Sequence, residues 1–138
     1  MYAGRLARAI TRVADHDVPR ASLRLMAQLD ELGPSTVGRL AEADRCSQPT
    51  MSAAVSALTD RDWANKRPNP DDARSCLVEL TDTGRAVLAD ARTRNAATIR
   101  ARFLADPCHG VADLATTVAV LKNLLAQTDP ETHTEGAR

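Results

Sequence analysis

Aromatic residues are almost missing from this chain: 138 residues include one Trp, one Tyr and one Phe. Its core must be filled mainly by Leu, Val, Ile and Ala, which suits close-packed helices. No apolar run approaches the roughly 20 residues that span a bilayer, which excludes a transmembrane role. The three cysteines, at positions 46, 76 and 108, form no CxxC pair and leave one over after any pairing. With no signal-like leader, they predict a reduced, cytoplasmic protein rather than a disulfide scaffold. Catalytic groupings are also missing. No nucleophile–base arrangement, phosphate loop or paired-carboxylate motif stands out, and His16, His109 and His133 are scattered. Cys108-His109 is too small a set to hold a metal. The expectation is a protein that is not an enzyme and takes no cofactor or metal.

Net charge is absent too: 18 Lys and Arg balance 18 Asp and Glu. A broad basic face for nucleic acid is thereby excluded, because phosphate affinity draws on clustered cations. The distribution is less even than the sum. Arg5, Arg8, Arg12, Arg20 and Arg24 crowd the start, and Arg85, Arg92, Arg94, Arg100 and Arg102 follow later. Residues 25–60 are acidic overall. Any DNA contact has to rest on a few placed side chains.

The length is that of one domain with enough apolar residues for a core. Tyr2, Leu6, Ile10 and Val13 fall at helical spacing, and Pro19 ends that stripe. A second helix is predicted from about 20 to 32 through Leu25, Leu29 and Leu32, with Gly33-Pro34 as its stop. Ser35 or Thr36 caps a short helix to about Asp44, and Ser47 caps the next, where Pro49 is tolerated in the first turn. Met51, Val55 and Leu58 cluster on one face of that helix; Pro49, Ser52, Ala53 and Ser56 lie on the other. This second face is small and mostly polar, as in a helix that presses against something large or in a plain alanine-rich surface.

Past Trp63 the period shortens. Ala64 to Pro68 is extended, Asn69-Pro70-Asp71-Asp72 is dense with turn formers, and Cys76, Val78 and Leu80 alternate with Leu77 and Glu79. Together they predict a β-hairpin with a charged tip, and its alternation places Cys76 on the inward face. Thr81 or Asp82 caps a long helix to about Leu104, which Asp106 to Gly110 interrupts. A last helix, about 111–127, carries Val111, Leu114, Val118, Leu121 and Leu125 at alternating steps of three and four, the seam of a helix pair.

Helix, helix, tight turn, helix, hairpin is the order of a winged helix-turn-helix. The residues resemble the multiple-antibiotic-resistance-regulator (MarR) family of transcription factors. The resemblance covers Leu23 to about Leu88. It rests on Leu40-Ala41, on Ser47-Gln48-Pro49-Thr50, on Leu58, and above all on the wing signature D-x-R-x5-L-T-x-x-G at Asp72, Arg74, Leu80, Thr81 and Gly84. Two departures stand out. Asp62 occupies a place after the recognition helix where the family usually has glycine, and the N-terminal helix is shorter than in many relatives. Asp accepts left-handed backbone better than most residues, so the turn is expected to survive.

The resemblance implies a mainly α fold with a small β-hairpin wing, flanked by N- and C-terminal dimerisation helices. On this reading 1–138 is a single domain: a core at about 20–84, dimerisation helices 1–16 and 85–127, and a frayed tail 128–138. It further implies a cytoplasmic homodimer that binds the double-stranded DNA of a palindromic operator, as a repressor relieved by a small aromatic or lipophilic effector. Ser47, Gln48, Pro49, Thr50, Ser52 and Ser56 would face DNA from the helix, and Lys66, Arg67, Asp72 and Arg74 from the wing. Arg74 has two compatible readings, a DNA contact or a structural partner of Asp72; Ser47 reads as a cap that also meets phosphate. His16, Arg20, Arg24 and Met26 are the residues named for the effector. Cys46 and Cys76 read as buried small hydrophobes, although some members of the family sense oxidants through a thiol. The alternative is a winged helix that has lost DNA affinity and docks a protein partner, which the acidic stretch and zero net charge favour.

Overall fold

The computed structural model describes residues 17–128; the stripe Tyr2–Val13, His16 and the tail from 129 lie outside them. In order, the elements are α1 (Arg20–Leu32), β1 (Ser35–Thr36), α2 (Val37–Ala43), α3 (Gln48–Thr59), β2 (Ala64–Asn69), β3 (Asp72–Leu80), α4 (Asp82–Leu104) and α5 (Val111–Thr128). The described residues fall into two compact units, divided between Ile99 and Arg100.

The first unit is a group of helices with a small sheet. Its core is aliphatic, as the composition requires. Leu25, Met26 and Leu29 of α1 pack with Leu40 of α2, Met51, Val55 and Leu58 of α3, Val78 and Leu80 of β3, and Leu88 of α4. The buried residues of α3 step by four and three, so one stripe faces inward and the opposite face remains for other work. Two ion pairs tie elements together at the surface, Arg24 to Asp44 at 2.8 Å and Arg92 to Asp30 at 2.7 Å. All four side chains keep water contact, so each pair contributes about 0–1 kcal/mol, well below the aliphatic core.

The helix ends follow local chemistry. Gly33 closes α1 at a φ of 69°. The Thr36 hydroxyl accepts the amide of Arg39, and that of Ser47 accepts the amide of Thr50. Helix α3 ends in a Schellman closure, in which the Trp63 amide donates to the Leu58 carbonyl and that of Asp62 to Thr59. Asp62, at a φ of 56°, takes the left-handed place expected of it.

The sheet has the order β1-β3-β2, all antiparallel. Its third strand was not expected, since Ser35-Thr36 reads as a helix start. It is both: Thr36 pairs with Leu77 while its side chain caps α2. This short strand also explains a correction. Cys76 is exposed rather than buried with Val78 and Leu80. The alternation is real, but β1 reaches only Leu77 and Val78, and Cys76 lies opposite Pro68 where the two-stranded ribbon leaves the core. Cys46, by contrast, is half-buried against the core.

In the second unit, Asp106 holds the break between α4 and α5. Its carboxylate accepts the Cys108 amide and meets His109 Nδ1, each at 2.8 Å. The amide bond, then the imidazole, lowers the Asp106 pKa, and the same carboxylate raises that of His109. Along α5, Leu114, Val118 and Leu121 are 37%, 42% and 45% exposed. The helix presents an apolar stripe that is open to solvent among the described residues. No helix among the described residues is long and apolar enough to cross a membrane.

Candidate nucleic-acid interface

The interface is built on α3. Gln48, Pro49, Thr50, Ser52 and Ala53 are exposed, and Ser56 is half-buried beside them. One of these polar groups is already engaged: the Thr50 hydroxyl lies 2.8 Å from that of the Ser47 cap. The side chains of Gln48 and Ser52 make no hydrogen bond among the described residues, leaving a carboxamide and a hydroxyl for a partner. Gln48 leans back toward α2, where a Cβ on Gly38 would meet its Nε2 at 3.5 Å. No long charged side chain rises from the middle of this face, so a base edge could come close to the helix.

The wing stands beside α3, braced by its own polar groups. Arg67 Nε donates to Glu79 across the strands at 3.0 Å, and Asn69 Nδ2 donates to the Ser75 hydroxyl at 2.9 Å. Asp72 accepts the backbone amide of Arg74 at 3.0 Å. The carboxylate thus fixes the backbone at the tip and does not hold the guanidinium, so the expected side-chain pairing of Arg74 with Asp72 is replaced by a turn bond. Lys66 and Arg74 are exposed and make no ion pair among the described residues, whereas Arg67 is paired with Glu79.

The root of the wing is where the rest of its signature acts. The Thr81 hydroxyl donates to the Asp62 carbonyl at 2.6 Å and accepts the amide of Gly84 at 3.0 Å. Leu80 is buried in the core, and its carbonyl accepts from Arg85. Gly84 lets α4 lie directly against the Trp63 carbonyl, the place where a Cβ would fall. One cluster therefore joins the end of α3, the base of the hairpin and the start of α4. The sequence pattern marked Thr81 and Gly84; the contacts that need them were not legible from it.

Of the residues named for an effector, His16 lies outside the described residues, and the other three line no common cleft among the described residues. Met26 is fully buried in the core, Arg24 is bound to Asp44, and Arg20 is exposed. A cleft of about 370 Å³ lies elsewhere, lined by Asp17, Val18, Ala86, Val87, Asp90, Ala91 and Arg94.

A capped helix with an open polar face, set beside a hairpin fastened to its end, makes this protein a winged helix-turn-helix. The model of the MarR family matches residues 18–76 of the chain. Over 79 residues it is 34% identical to the uncharacterized HTH-type transcriptional regulator YxaD of Bacillus subtilis, covering 56% of this chain and 55% of that one. It thus spans about half the length of that relative. RV1404 from Mycobacterium tuberculosis superposes with a TM-score of 0.70 at 23% identity, covering 96% of this chain and 91% of that one. A mutant MarR from E. coli complexed with operator DNA superposes at 0.60 with 19% identity, covering 91% and 94%. These two likenesses establish the fold.

Proposed function

We propose that this protein is a homodimeric, sequence-specific DNA-binding transcription regulator, a repressor whose hold on a palindromic operator is relieved by a small aromatic or lipophilic molecule. The observation that carries the reading is the pairing of an open polar face on α3 with two unneutralised cations, Lys66 and Arg74, on a braced wing. Helix α3 enters the major groove of each half-site through Gln48, Thr50, Ser52 and Ser56, with Ser47 and Pro49 at its start. The wing meets the adjacent minor groove and backbone through Lys66, Arg67 and Arg74, with Asp72 holding the tip. That a protein of the same fold has been solved complexed with operator DNA supports a DNA-binding reading. The dimer forms through the terminal helices, and the apolar stripe of α5 belongs to its seam.

Titrating fluorescent duplex DNA with protein at several salt concentrations tests the reading. Binding by phosphate neutralisation releases counterions, so the logarithm of affinity should fall linearly with the logarithm of salt. A protein that binds no duplex even at low salt is the protein-docking alternative instead.

Within the DNA reading, wing and helix should fail differently. Arg74→Ala is expected to weaken operator and random duplex together and to reduce the salt dependence by about one unit per half-site. Gln48→Ala should instead lose discrimination between the two, because base-edge contacts carry the sequence information. A folded Arg74→Ala protein that holds all duplexes as tightly as the wild type would remove the wing from the interface.

A further inference from the structure

Three helices of the first unit are followed by a residue in the left-handed region, and the three differ in what that conformation costs. Gly33 follows α1 at a φ of 69°, Asp62 follows α3 at 56°, and Arg45 follows α2 at 52°. Gly33 has no Cβ to clash. Asp62 is a residue type that tolerates the region, and its carbonyl and carboxylate both receive hydroxyls, from Thr81 at 2.6 Å and Thr83 at 3.5 Å. Arg45 has neither excuse. Its backbone closes α2, with its amide donating to the Glu42 carbonyl and that of Cys46 to the Ala41 carbonyl, each at 3.0 Å. That closure needs left-handed backbone at this position, and glycine or asparagine would serve it better.

The side chain adds nothing local in return. Arg45 is exposed and makes no ion pair among the described residues. Its neighbour Asp44 is held by Arg24 at 2.8 Å. The residue is therefore an unneutralised guanidinium on a rigid turn, two positions before the Ser47 cap of the recognition helix. We propose that Arg45 is a phosphate anchor of the DNA interface, gripping the backbone beside the point where α3 enters the groove. A planar guanidinium can bind a phosphate through two parallel hydrogen bonds, and such a contact sets the register of the helix without reading sequence. The assignment rests on the DNA-binding reading above and extends it to the turn.

The test separates stability from binding, using a duplex of random sequence as the probe. Arg45→Gly and Arg45→Asn should raise the thermal midpoint by a few degrees, since both suit left-handed backbone. Both should weaken binding to the random duplex and make its salt dependence shallower by about one unit per bound protomer. Arg45→Lys should keep the wild-type midpoint and salt slope. Were the side chain idle, the Gly and Asn variants would gain stability and leave binding alone; wild-type affinity and slope in both would overturn the anchor. A lowered midpoint in both variants would overturn it equally, because the conformational cost would then not exist. If the wild type itself binds no duplex, the DNA reading fails and the anchor falls with it, a result distinct from binding that ignores residue 45.

Discussion

Gly84→Ala is expected to cost about 3 kcal/mol of folding stability, read as a fall of about 10 °C in the thermal midpoint. The added Cβ would lie 2.8 Å from the Trp63 carbonyl carbon and nearer still to its oxygen. Both are backbone atoms, held by the closure of α3 on one side and by the first turn of α4 on the other, so no side chain can swing away. Relief requires α4 to move off the hairpin, which lengthens the bonds from Thr81 to Asp62 and from Gly84 to Thr81. A helix-favouring residue is normally stabilising inside a helix, so the sign here depends on the close approach. A loss below about 0.5 kcal/mol, the size of an ordinary surface change, would show that the contact is not tight in solution.

Leu121→Glu is expected to convert the proposed dimer into monomers. Leu121 is 45% exposed within its own chain, so a carboxylate there leaves the fold of α5 undisturbed. Buried in a helix-pair seam it would cost several kcal/mol. Light scattering should show twice the monomer mass for the wild type and a single chain for the variant. Operator affinity should drop by about 10²-fold as the two half-sites cease to be held together. A wild type that is monomeric at micromolar concentration would refute the seam.

How far the sequence foretold the molecule depends on the reach of each interaction. Helices α1 to α3 were legible because their stops and caps act over three or four residues: Gly33 after α1, Thr36 before α2, Ser47 before α3. The inward stripe Met51, Val55, Leu58 followed from helical period alone. The hairpin was legible from alternation and from the turn formers between Asn69 and Asp72. Alternation gives a side, however, and not what covers it, which is why Cys76 was misplaced. Strand β1 is two residues long and exists only because β3 passes it, a pairing across about 40 positions that no local pattern carries. The left-handed state of Arg45 was likewise hidden, since arginine does not advertise it. Ser47 is the cap that the sequence suggests, whereas the bond from Asp72 to the Arg74 amide was not legible beforehand. The effector residues had no such local logic, and Met26 shows the result: a residue on the stripe of α1 is claimed by the core.

Trp63 is the only tryptophan in the chain. It sits at the junction of α3, the wing and α4, half-buried, with the Arg61 guanidinium 5.2 Å from the centre of its ring. A cation over an indole perturbs its emission, and so does any change in its hydration. The protein therefore carries an optical probe at the one place where wing, recognition helix and long helix are fastened together. No second indole dilutes the signal, so loosening of that fastening can be followed by intrinsic fluorescence, without a label and without altering a residue.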